Sequence, residues 1–130
     1  MSPGATFINP PSFGAGDTPI SQAAKVGNLL LLAGQVALDG SSQVIAPGEV
    51  EPQTRAALER VQTVVREAGG ELTDVVSATV YLARREDVAA YNKVWVEVFG
   101  DHRPARATLQ AGLMREGLVV EIVAIAVLPD

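Results

Sequence analysis

The 130-residue chain has no cysteine. That absence excludes a disulfide scaffold, a thiolate zinc site and a cysteine nucleophile together, and it fits a reducing compartment. Histidine occurs once, as His102, and clustered His or carboxylate ligands are lacking, so no metal is expected. Basic residues are in the minority, with 10 Lys and Arg against 15 Asp and Glu and a net charge of -5. No basic stripe is visible, and nucleic acid is not an expected partner. Long apolar runs are also missing. The longest are too short to span a bilayer, and no basic start precedes an apolar run as in a signal peptide. The expected address is the cytoplasm, with no membrane partner. Apolar residues are plentiful, at 48%. In a chain of this length they predict one domain over residues 1–130 with a substantial core.

The pattern along the chain is α+β. Residues 1–19 are rich in Gly, Pro, Ser and Thr, with Thr6-Phe7-Ile8-Asn9 as a short strand. Lys25 to Ala33 contains four successive leucines, Leu29 to Leu32, and reads as a strand covered on both sides. Residues 39–49 read as a loop. A helix is predicted from Pro52 to Ala68, with Pro52 at its first position and Gly69-Gly70 as its stop. Val75 to Leu82 is a β-branched strand. A second helix is predicted over Glu86 to Phe99, burying Val88, Tyr91, Trp95, Val98 and Phe99. Strands at Ala105–Gly112 and Leu118–Leu128 follow, and the link Leu113–Gly117 predicts a hairpin. Two helices then cover one face of a mixed sheet. The other face needs cover too, which predicts an oligomer.

Within the last strand, Glu121 falls on one face with Val119, Val123 and Ile125. A carboxylate there is costly unless it is paired or solvated in a pocket. Arg106 is the expected partner, with Thr108 and Gln110 on its face, and the final hairpin would bring the two together. The pattern suits an internal ion pair as well as a binding site. His102 reads as a loop residue. Tyr91, Trp95 and Phe99 read as core or subunit interface. Arg55, Arg60 and Arg66 read as a solvated helix face with Glu59 and Glu67.

Arg103-Pro104-Ala105-Arg106-Ala107-Thr108-Leu109, then Gly112, Met114 and Val120-Glu121-Ile122, resemble the C-terminal signature of the RidA (YjgF) family. Ser21-Gln22-Ala23, Gly34-Gln35, Gln53-Thr54-Arg55 and Tyr91-Asn92-Lys93-Val94-Trp95 extend the resemblance over nearly the whole chain. It implies a chorismate-mutase-like fold with ferredoxin-like βαβ connections, assembled as a barrel-cored homotrimer with ligand sites between subunits. It implies cofactor-free hydrolysis of 2-aminoacrylate and related imines to keto acid and ammonia. Arg106 would grip the substrate carboxylate. Glu121 would activate water or pass a proton to the leaving amine. Gly34 and Thr108 would line the pocket, and Asn92 of a neighbouring subunit would edge it. Where archetypal members carry a tyrosine and a serine, this chain has Ile20 and Ala33. Loss of both hydroxyls predicts a larger or less polar imine.

A trimeric binder of small carboxylates is the competing function. Arg106 serves either role. A second negative charge beside an anionic ligand helps only the enzyme, so Glu121 favours the deaminase. A ribonuclease is disfavoured by the acidic balance and the single histidine.

Overall fold

Polar and apolar strands sort themselves by position in one seven-stranded sheet. The structure is a computed structural model that describes residues 4–14, 16 and 18–130. The strands are β1 (Thr6–Ile8), β2 (Ala23–Val26), β3 (Leu29–Leu32), β4 (Gln35–Val36), β5 (Val75–Leu82), β6 (Ala105–Gln110) and β7 (Val120–Val127). Helix α1 (Val50–Glu67) lies between β4 and β5, and α2 (Val88–Phe99) between β5 and β6. The sheet order is β1-β2-β3-β7-β5-β6, with β4 paired to β7 beyond the end of β3. Only β5 and β6 run parallel, because α2 carries the chain back over the sheet between them.

The helices cover one face. Leu30, Leu32, Val80, Val120, Ile122 and Ala124 form one cluster with Leu58, Val61, Val64 and Val65 of α1 and Tyr91 and Trp95 of α2. Each large aliphatic side chain buried this way contributes about 1.5–3 kcal/mol. The opposite face has no cover among the described residues. Leu29, Leu31 and Val127 are exposed there, with Val123 and Ile125 half-buried. No helix of the described residues is long and apolar enough to cross a membrane.

Several boundaries differ from the sequence reading. The run Lys25–Ala33 is not one strand. Gly27, at φ 60°, turns β2 into β3 through a two-residue hairpin that pairs Val26 with Leu29, as a positive φ at the first turn position allows. Leu29 to Leu32 then alternate exposed and buried, so β3 is covered on one side within the chain. Helix α1 starts at Val50, which places Pro52 in its first turn but not at its first position; a missing N–H costs nothing there. In α2, Val94 is buried where Val88 was expected; Val88 is 40% exposed.

The largest difference concerns the last two strands. No hairpin joins β6 to β7; β5 lies between them. Composition explains it. β7 is apolar on both faces and takes a central place, whereas β6 alternates alanine with Arg106 and Thr108 and suits an edge. The loop that carries the chain from edge to centre is held by Gln53. Its amide nitrogen donates to the carbonyls of Ala46 (3.1 Å) and Gly117 (2.7 Å), and its oxygen accepts from the Val119 N–H (2.8 Å).

Candidate active site

Glu121 sits on the uncovered face of β7. It pairs with Tyr81 of β5 on one side and with Val36 of β4 on the other. Its carboxylate packs directly over Gly34. A Cβ at Gly34 would lie 2.5 Å from Glu121 Oε2 and 2.8 Å from Cδ, so any side chain there would displace the carboxylate. Among the described residues no cation pairs with it. Burial therefore pushes its pKa above the usual carboxylate value. Glu121, Gly34 and Ile20 share a cleft of about 310 Å³ with Gln22, Gln35, Arg60 and Arg115. Ala33 adjoins it through its N–H, which donates to Gln22 O (2.8 Å).

A polar chain runs from this cleft to α1. Gln35 is buried and donates through Nε2 to Gln22 Oε1 (2.9 Å). Arg60 Nε donates to Gln35 Oε1 (3.2 Å) and Arg60 Nη1 to Leu38 O (3.2 Å). The Arg60 guanidinium also lies 3.7 Å from the centre of the Phe13 ring. The reading of Arg60 as part of a solvated face is therefore corrected. Arg55 pairs with Glu97 and Glu51, and Arg66 with Glu71, but Arg60 is half-buried and lines the cleft. Its place three residues after Ala57 and four before Val64 puts it at the border of the buried stripe, which is the signal that the composition of the helix hid.

Arg106 lies elsewhere. It pairs with Ala78, a buried residue of the helix-covered face, and it reaches α2 from the sheet edge. Its Nη2 donates to Asn92 Oδ1 (2.7 Å). Its guanidinium stands 5.1 Å from the Tyr91 ring centre and 4.9 Å from that of Trp95. The aromatic row is thus core on one side and a platform for a cation on the other. The Tyr91 hydroxyl is buried with no hydrogen-bond partner among the described residues. Burial pushes its pKa up, against the pull of the Arg106 charge. Thr108 lies further along the edge, in a shallow groove with Leu82, Val88 and Gln110. His102 is a loop anchor, its Nε2 2.7 Å from Val75 O.

The expected meeting of Arg106 and Glu121 does not occur within one chain. Two strand spacings and three residues separate them, or ~14 Å between Cα atoms, and their side chains leave opposite faces of the sheet. The structure brings together Ile20, Gly34 and Glu121 in one place and Arg106 and Asn92 in another. Ile20 shares its cleft with the polar side chains of Arg60, Arg115, Gln22 and Gln35.

Residues 15–128 match the family model described as Endoribonuclease L-PSP. A RutC family protein of Pyrococcus horikoshii is 40% identical over 108 residues, which cover 83% of this chain and 86% of that protein. The 2-iminobutanoate/2-iminopropanoate deaminase of Capra hircus is 38% identical over 109 residues, covering 84% of this chain and 80% of its own. The crystal structure of RidA from an Antarctic Psychrobacter superimposes with a TM-score of 0.87 at 31% identity, covering 95% of this chain and 99% of that one. With the mixed sheet and its two helices alike in both, the chain belongs to the Endoribonuclease L-PSP family, that of the YjgF, RidA and RutC proteins.

Proposed function

We propose that the protein is a cofactor-free imine deaminase whose site forms between subunits of a homotrimer. The observation that carries this reading is Glu121. Its carboxylate is held over Gly34 in an open cleft, without a cation partner among the described residues. A carboxylate kept in that costly state suits a proton-transfer role. The edge β6 is exposed and so is part of the apolar face beside Glu121, which leaves both open to a second copy. Arg106 and Asn92 would come from one subunit, and Glu121, Gly34 and Ile20 from its neighbour.

In that arrangement Arg106 binds the substrate carboxylate through two parallel bonds. An enamine that tautomerises to the imine is already electrophilic. Glu121 takes a proton from water as the water oxygen bonds to the imine carbon, and the C=N electron pair moves to nitrogen. Glu121 returns that proton to nitrogen, and the hydroxyl proton of the resulting carbinolamine then passes through Glu121 to the amine as the C=O bond forms and the C–N bond breaks, releasing keto acid and ammonia. Positioning supplies most of what this reaction needs. Ile20 and Ala33 supply no hydroxyl, so the substrate is taken as larger than 2-aminoacrylate.

The test uses imines made in situ by an amino-acid oxidase, with ammonia release as the readout. Wild type should accelerate release. Arg106→Ala and Glu121→Ala should each fall to the uncatalysed rate. Co-refolding the two inactive variants in equal amounts should restore roughly a quarter of the activity, because about three quarters of the trimers are then mixed and each mixed trimer holds one intact site in three. No recovery would rule out a site shared between subunits. Inactivity of wild type on every imine, with keto-acid binding lost in Arg106→Ala, would make the protein a carboxylate binder.

A further inference from the structure

Arg60 has no part in the chemistry proposed above, yet it lines the same cleft as Glu121. It is half-buried, and burial opposes its charge. Among the described residues no carboxylate neutralises it. Its only polar partners there are two neutral oxygens, Gln35 Oε1 and Leu38 O. A guanidinium has five N–H donors, so this one keeps capacity for an anion. Its plane is already set, by Phe13 on its face at 3.7 Å and by Gln35, which Gln22 holds in turn. A cation partly withdrawn from water, oriented and without a counter-ion among the described residues is costly to a fold and well suited to binding. Arg115 lines the cleft as well, with Nη1 donating to Ser42 O (2.7 Å). The described part of the cleft therefore holds two guanidinium groups against the single carboxylate of Glu121.

We infer that Arg60 reads a second acidic group on the ligand, so that the preferred substrates are imines of dicarboxylic amino acids. The inference rests on the deaminase reading of the site. Arg106 from the neighbouring subunit takes the carboxylate beside the imine carbon, and Arg60 takes the distal one. The larger substrate expected from Ile20 and Ala33 is then extended by a charged group, not an apolar one.

The experiment compares imines generated from aspartate and glutamate with those from alanine and norvaline, using wild type, Arg60→Met and Arg60→Lys. Wild type should favour the dicarboxylic imines in kcat/KM by about tenfold or more, as expected for one charge-assisted pair. Arg60→Met should collapse that ratio towards one, chiefly through KM, and Arg60→Lys should keep part of it. A wild-type preference for the monocarboxylic imines would overturn the inference. So would a ratio unchanged in Arg60→Met, or a fall equal on both classes with a lowered Tm, which marks Arg60 as a clamp of the fold. Calorimetric binding of oxaloacetate against pyruvate separates this failure from that of the deaminase reading. If no imine is hydrolysed but oxaloacetate still binds more tightly in an Arg60-dependent way, the second acidic group stands and only the chemistry falls.

Discussion

Glu121 and Arg106 are charged residues on two strands of one sheet, and their settings are opposite. Glu121 sits in the central strand, over a glycine, without a cation partner among the described residues. Arg106 sits on an edge, bonded to Asn92 and set beside two aromatic rings. The centre of the sheet keeps a carboxylate in a state it resists, and the edge keeps a cation ready to be presented to another molecule. An internal ion pair would need both in one place. Their separation favours a site completed between subunits.

The comparison breaks most sharply at the two residues themselves. Glu121→Gln should lower kcat on the order of 10²- to 10⁴-fold, the span of general acid–base catalysis, with KM little changed. Arg106→Ala should act largely through KM, because the substrate carboxylate is bound alike before and during reaction, and at the low imine concentrations that an oxidase sustains this loss alone brings its rate to the uncatalysed one. Steady-state kinetics on one imine separates the two, and a Glu121→Gln enzyme with full kcat would remove the proton-transfer role.

Next in size is a structural effect. Gln53→Leu removes the three bonds that hold the path from edge to centre. It should destabilise the fold by ~3 kcal/mol, since buried backbone groups lose their partners. Denaturant unfolding measures this, and a midpoint equal to wild type would show that the loop has other supports.

Gly34→Ala sharpens the centre alone. The added Cβ meets Glu121 and should cost about tenfold in kcat through misplacement, without touching Arg106. Adding Glu121→Asp, which shortens the side chain, should be less harmful in this background than in wild type.

The smallest effect is on stability against pH. The folded-state pKa of Glu121 lies above its unfolded value because of burial. Below about pH 4.3 the carboxyl is neutral in both states and costs nothing. As pH rises through the unfolded and then the folded pKa, the penalty develops and is complete above both. Glu121→Gln should therefore gain on wild type in Tm as pH rises towards neutrality. A gap that stays constant with pH would mean that Glu121 titrates as it does in the unfolded chain.

Much of this molecule was legible in the residues. Val75–Leu82 is a strand at those same limits, the stop of α1 at Gly69-Gly70 holds, and α2 ends at Phe99 as read. Glu121 among apolar alternation pointed to a costly carboxylate, and it is one. Arg60 was not legible as a cleft residue. On a helix carrying Arg55, Arg66 and Glu59, its charge looks like one more solvated group. Only the packing of β4 and Phe13 against that side of α1 turns it inward.

Periodicity and composition alone determined the α+β class, the two helices, the costly carboxylate and the surplus apolar face, because they depend on local spacing and on the cost of wetting apolar surface. Strand neighbours are set by non-local pairing, which a short connecting link does not reveal. Only the tertiary structure decided that β5 parts β6 from β7, and with that, that Arg106 and Glu121 leave opposite faces of the sheet. Two strands joined by nine residues look like a hairpin in sequence. The apolar demand of β7 for a neighbour on each side overrides that proximity.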